Sequence, residues 1–155
     1  MDSLLAMIAL WLSFNFGLPE ITEPPKIAVV SAQDILFKRH KAFTPHAQQA
    51  LLSNTPDGNS RGKTREAVAI YDEDNGTIFL TEGWNGKSPA DLSVLVHEMV
   101  HHIQSKSRMR HACPAAREEL AYAAQDKWLT MFGRNLYDEF DLDAFTLKVT
   151  TTCGP

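Results

Sequence analysis

Neither of the two cysteines in these 155 residues belongs to a Cys-x-x-Cys pair, which excludes a zinc ribbon. No run of Lys and Arg exceeds three residues and the formal net charge is −4, so the electrostatic footprint of a nucleic-acid partner is missing. No apolar stretch spans a bilayer: residues 4–12 (Leu-Leu-Ala-Met-Ile-Ala-Leu-Trp-Leu) fall well short of the ~20 needed. That stretch could be the core of a signal peptide. Against this stand Asp2 where a basic residue is expected and the lack of an Ala-x-Ala-like cleavage site before Pro19. The reading preferred is an N-terminal helix over residues 3–14, ended by Gly17-Leu18-Pro19, with a leader remnant within residues 1–20 as the alternative. With 44% hydrophobic and 22% charged residues, a single globular domain over residues 1–155 is expected.

Residues 94–104, Val-Leu-Val-His-Glu-Met-Val-His-His-Ile-Gln, hold the pattern His-Glu-x-x-His. On a helix, His97 and His101 project from one face about one turn apart, and two imidazoles so placed can hold one metal ion. Glu98 stands beside the first of them, where a general base for water is needed. The flanks support a buried helix. Ser88-Pro89-Ala90-Asp91 combines an N-cap serine, a proline at the first helical position and an acid facing the helix dipole. Leu92, Val94, Leu95, Val96, Met99, Val100 and Ile103 lie all round the cylinder. Three ionisable groups inside such a helix are costly unless a metal or partners satisfy them.

Upstream, residues 26–31 predict a strand, residues 32–39 a short helix, and residues 41–63 a loop-rich segment with a helical turn over 47–52. His40 and His46 have no ligand spacing and read as surface residues. Residues 67–71 and 77–81 flank Asp72-Glu73-Asp74-Asn75-Gly76, whose Asn-Gly predicts a hairpin. The 77–81 strand, just before the metal helix, could add an extended peptide substrate along a free edge, or the hairpin could simply cover the helix.

After the basic connector 106–111, Pro114 opens a second helix to about Phe132. Glu118, Ala121, Tyr122, Gln125 and Leu129 share one face. The surrounding alanines allow close helix approach, so Glu118 can reach a metal held by His97 and His101; two histidines, one glutamate and a water form an established catalytic zinc set. Cys113 and Cys153 could form a disulfide tying the tail to the loop between these helices. Such a bridge would imply export, to a secreted or periplasmic location; two free thiols in a cytoplasmic protein are the other reading.

His97-Glu98-Met99-Val100-His101 followed by Glu118-Glu119-Leu120-Ala121-Tyr122 resembles the gluzincin group of zinc metallopeptidases. The resemblance implies an α+β, zincin-like minimal core over about residues 67–132, in which a small sheet or hairpin packs on the His-Glu-x-x-His helix and the glutamate helix follows. It implies one Zn2+ per chain on His97, His101 and Glu118, with Glu98 as general base for peptide hydrolysis. The run from Tyr71 through Trp84 to Gln104, with Trp11-Leu12 and Leu18-Pro19, is also similar to a small bacterial family of unknown function. Tyr122 stands where many gluzincins carry an aspartate that orients a histidine, so that support falls to the Tyr122 hydroxyl or Gln125. Glu119 could replace Glu118 with a small change of helix phase. Gln104 and Ser107 stand where metzincins need Gly and His.

Three further residues are weaker candidates. His102 points about 100° from the ligand pair and reads as a core hydrogen-bonding histidine. His111 could be a third ligand or could polarise a substrate carbonyl but reads as exposed, and Tyr137 could donate to an oxyanion, although its segment reads as an ordinary acidic turn or helix. Residues 135–143 predict an acidic turn or helix, and 145–152, rich in β-branched residues, a strand. The alternative function is a non-catalytic zinc-binding module with a peptidase-like fold, although a purely structural site has no use for Glu98. Amide hydrolysis on a small molecule or peptidoglycan would use the same chemistry. Nothing in the sequence sets the oligomeric state.

Overall fold

The computed structural model describes residues 1–42 and 69–154, residues 40–42 by backbone alone. The loop and helical turn expected within 43–68, His46, the His40 ring and the start of the 67–71 strand lie outside the described residues. Those described form an α+β arrangement of six helices and one three-stranded sheet. Helix α1 is Asp2–Phe16. Strand β1 is Lys26–Val30, helix α2 Ala32–Ala42, β2 Ala69–Asp72 and β3 Thr77–Thr81. Helices α3 (Pro89–Lys106), α4 (Pro114–Thr130), α5 (Leu136–Phe140) and α6 (Ala144–Thr151) follow. Among the described residues no helix is long and apolar enough to cross a membrane.

Helix α3 is the central element, and every residue from Ser93 to Gln104 is buried. It starts where its sequence demands. The Ser88 hydroxyl accepts the Asp91 N–H at 3.0 Å, Pro89 occupies the first turn, and the Trp84 indole N–H donates to the Asp91 carbonyl at 2.9 Å. Leu95, Met99 and Ile103 join Ile78 and Leu80 of β3, Leu5, Ile8 and Leu12 of α1, and Ala121, Ala124 and Trp128 of α4 in one core. The i, i+3, i+7 spacing of Leu5, Ile8 and Leu12 gives α1 its buried stripe. Gly17, at φ 63°, closes α1 by donating its N–H to Ser13 O, a left-handed cap that favours glycine.

The hairpin forms as Asn75-Gly76 predicts. The Asp72 carboxylate accepts the backbone N–H groups of Asp74 and Asn75 and the Asn75 side-chain amide, which holds its pKa below the ordinary value, the Asn75 amide most of all. Strand alternation then assigns the faces. Ile78 and Leu80 point into the core, while Phe79 lies under the Lys38 ammonium of α2 at 3.9 Å.

Two expectations are corrected. The 77–81 strand has no free edge for a peptide, because the sheet order is β1-β3-β2. β3 pairs in parallel with β1, Lys26 opposite Thr77, and antiparallel with β2, Asp72 opposite Thr77. The β-branched run at 27–30 satisfies the backbone groups that a peptide would have used. The tail is helix α6, not a strand. Asp143 caps it by accepting the Thr146 N–H at 2.8 Å, and Thr150 and Thr151 bond back to the carbonyls of Thr146 and Leu147. Local capping outweighs the modest helix penalty of β-branched residues. The acidic segment becomes α5, capped by Asn135, and α2 runs three residues past Arg39.

Cys113 and Cys153 are bridged, with Cα atoms 5.8 Å apart. The bridge ties the chain just beyond α6 to the residue that precedes Pro114, and α6 packs on α4.

Candidate metal centre

The close packing of α4 on α3 converts two sequence patterns into one site. His97 and His101 lie one turn apart and meet edge-to-face, with ring centroids 4.9 Å apart. From α4, Glu118 reaches both: one carboxylate oxygen is 3.1 Å from His97 Nε2 and the other 3.3 Å from His101 Nε2. The two Nε2 atoms are 3.1 Å apart. These three residues form a group whose ligand atoms all lie within 4.8 Å of one another and which could hold a metal ion. Zinc bonds of about 2.0–2.1 Å in a tetrahedron place neighbouring ligand atoms about 3.3 Å apart, close to the spacings found. Two imidazoles and a carboxylate are also a chemically suitable zinc donor set.

The far side of each ring is held as well. His97 Nδ1 is 3.0 Å from Gln125 Oε1, and His101 Nδ1 is 3.1 Å from Gln104 Oε1. The Gln125 amide donates to Ser93 Oγ at 3.3 Å, and the Ser93 hydroxyl donates to the Ala90 carbonyl at 2.8 Å. The Gln104 amide donates to the Arg117 carbonyl at 3.1 Å. Of the two residues expected to support a histidine, Gln125 does so by hydrogen bonding. Tyr122 instead sets its ring edge-to-face against His97, centroids 4.6 Å apart. Sequence reasoning passed over Gln104 and Ser93. A buried glutamine three residues beyond a candidate ligand histidine, on the same helical face, was the available signal.

Glu98 is 7% exposed. Its carboxylate makes no hydrogen bond with a described residue, and its charge acts on His101 and Tyr122. Burial pushes the Glu118 carboxyl up, but the hydrogen bonds from His101 and His97 outweigh it and hold the pKa well below the ordinary 4.5. Burial likewise opposes charge on His101, yet the Glu118 hydrogen bond and the Glu98 and Glu118 charges raise its pKa above 6.5. Burial, then the Glu118 charge, pushes the Tyr122 hydroxyl up.

The remaining candidates lie apart. Glu119 is exposed and outside the ligand group. His102 is a core histidine: its Nε2–H donates to the Glu23 carbonyl at 2.8 Å, and its Nδ1 meets the Tyr71 hydroxyl at 3.2 Å. Burial lowers its pKa. His111 is half-buried, with an Nε2 that has no partner among the described residues. Tyr137 is exposed.

A model of the family described as Domain of unknown function (DUF6647) matches residues 1–155. No curated protein and no solved structure matches the chain.

Proposed function

The chain belongs along its whole length to that family of unknown function, whose description passes no activity to it, and from the chain's own residues we propose a gluzincin-like zinc metallopeptidase with a zincin-like core. The observation that carries this is the convergence of His97, His101 and Glu118 within 4.8 Å, with buried Glu98 beside the first ligand. The reaction class is hydrolysis of peptide (amide) bonds.

His97, His101 and Glu118 would hold the ion. A zinc ion there supplies Lewis-acid polarisation of a carbonyl and acidifies water to a pKa of about 7. The Glu98 carboxylate takes the proton that water loses on attacking the carbonyl carbon, then gives it to the leaving amine nitrogen as the C–N bond breaks. Helix α3 buries His97, Glu98 and His101, which strengthens the electrostatic contacts they make, while the Glu118 side chain stays 34% exposed. The Cys113–Cys153 bridge favours an oxidising compartment as the place of work.

Glu98→Gln tests the proposal. The variant should bind about one zinc per chain, as wild type does, and lose peptide hydrolysis by a factor of about 100 or more. Full hydrolysis by Glu98→Gln overturns the base assignment. Absence of zinc binding in wild type after incubation with the metal overturns the enzyme reading.

A further inference from the structure

We infer that Gln104 and Gln125 are positioning residues that keep hydrogen on the Nδ1 of both ligand histidines, so that once both rings are neutral two bare Nε2 lone pairs face Glu118, ready for a cation. The inference rests on the proposed metal site but makes a separate claim about the metal-free chain.

Hydrogen-bond directions carry the argument. A glutamine amide can present either its oxygen or its nitrogen to a ring, and here the far end of each side chain decides. The Gln104 nitrogen meets the Arg117 carbonyl, which can only accept, so that end must be the NH2 group. The Gln125 nitrogen meets Ser93 Oγ, whose own hydrogen goes to the Ala90 carbonyl, so Ser93 can only accept there. Each glutamine therefore turns Oε1, a pure acceptor, toward a histidine Nδ1. Both Nδ1 atoms must carry hydrogen. A neutral imidazole has one N–H, so with both rings neutral both Nε2 atoms are lone pairs, 3.1 Å apart and beside a carboxylate. Acceptors packed so closely repel unless a proton or a metal cation lies among them.

Both glutamines are almost fully buried, at 1% and 4% exposure. That explains amides in place of carboxylates. A divalent cation, Glu118 and Glu98 sum to no net charge, whereas a carboxylate behind each ring would leave uncompensated negative charge in the core. Gln104 also couples two ligands, because the carbonyl it grips belongs to Arg117, the residue before Glu118.

Two substitutions at each position separate this role from simple packing. Gln→Met keeps the length and loses both hydrogen bonds. Gln→Glu keeps the acceptor toward Nδ1 and loses the donor that cross-links the helices. For Q104M and Q125M, zinc affinity measured against a chromogenic chelator should fall about 10–100-fold. For Q104E and Q125E it should stay within about threefold of wild type while thermal stability drops, since a carboxylate can replace the amide oxygen behind a ligand histidine. Equal zinc losses in the Met and Glu variants would mean a purely structural role and overturn the inference, as would wild-type affinity in the Met variants. Long-range 1H–15N spectra of metal-free wild type, taken above the raised His101 pKa, need no variant. Both rings should show Nδ1–H; Nε2–H on either overturns the inference. If the wild-type chain bound no zinc, the proposed function would fail while these spectra still decided the tautomers.

Discussion

Glu118 and Glu119 are neighbours in sequence with opposite environments: one meets two histidines, the other faces solvent. Metal analysis should therefore find zinc lost in Glu118→Ala and kept in Glu119→Ala; equal retention in both would remove Glu118 from the ligand set. The proton held by His101 adds a pH dependence. Its folded pKa lies above 6.5, so the ring keeps its proton as pH rises past 6.5 and releases it only at the higher folded value. Zinc must displace that proton. Apparent zinc affinity in a chelator titration should thus fall as pH drops through the raised His101 value, and a flat profile from pH 8 to pH 6 would contradict the coupling. Glu118 acts in the other direction on the metal-free fold. Its depressed pKa contributes stability that is present above 4.5 and lost as pH falls toward the folded value.

At the scale of elements, α4 bears the proposed third ligand and starts directly after one half of the disulfide. Cys113 lies immediately before Pro114, five residues ahead of Glu118, and its bridge closes a loop of sequence separation 40. In the loop-entropy treatment such a closure stabilises by about 4 kcal/mol. Cys153→Ser should lower unfolding free energy in urea by up to that amount. Since α3 is built into the core independently of the tail, zinc binding by the folded variant should persist. Loss of zinc from a folded Cys153→Ser protein would show that the bridge positions Glu118, beyond stabilising the fold.

Across the whole molecule, the site joins parts of the chain that are remote in sequence. His102 connects α3 to Glu23, between α1 and β1, and to Tyr71 of β2, and Arg117 pairs with Glu73 of the hairpin turn at 2.9 Å. Zinc bound across α3 and α4 should then stabilise the fold as a unit. At free zinc one hundred times the dissociation constant the gain is about 2.7 kcal/mol, read as a rise in melting temperature that a chelator reverses. No shift at saturating zinc would argue that the metal does not bind preferentially to the folded chain.

Features that depend on neighbours along the chain are legible before folding is considered. The Ser88-Pro89 start, the one-turn spacing of His97 and His101, the buried cylinder of α3, the Asn75-Gly76 hairpin and the Pro114 start of α4 all follow from backbone geometry within a few residues. Facing alanines on α4 even made Glu118 readable as a partner. Features that depend on groups far apart in sequence emerge from the packed fold. It put β1 on the edge of β3 that looked open, and it joined Cys113 to Cys153 where free thiols were a nearly equal reading. It gave the support of His97 to Gln125 and not to the Tyr122 hydroxyl, and it recruited Gln104 through a carbonyl on another helix. The α6 tail also resisted a local reading, because its Thr and Val content favours a strand until the Asp143 cap and the threonine back-bonds are counted. Periodicity states which face of an element is buried; it does not state which donor will meet which acceptor once two such faces come together.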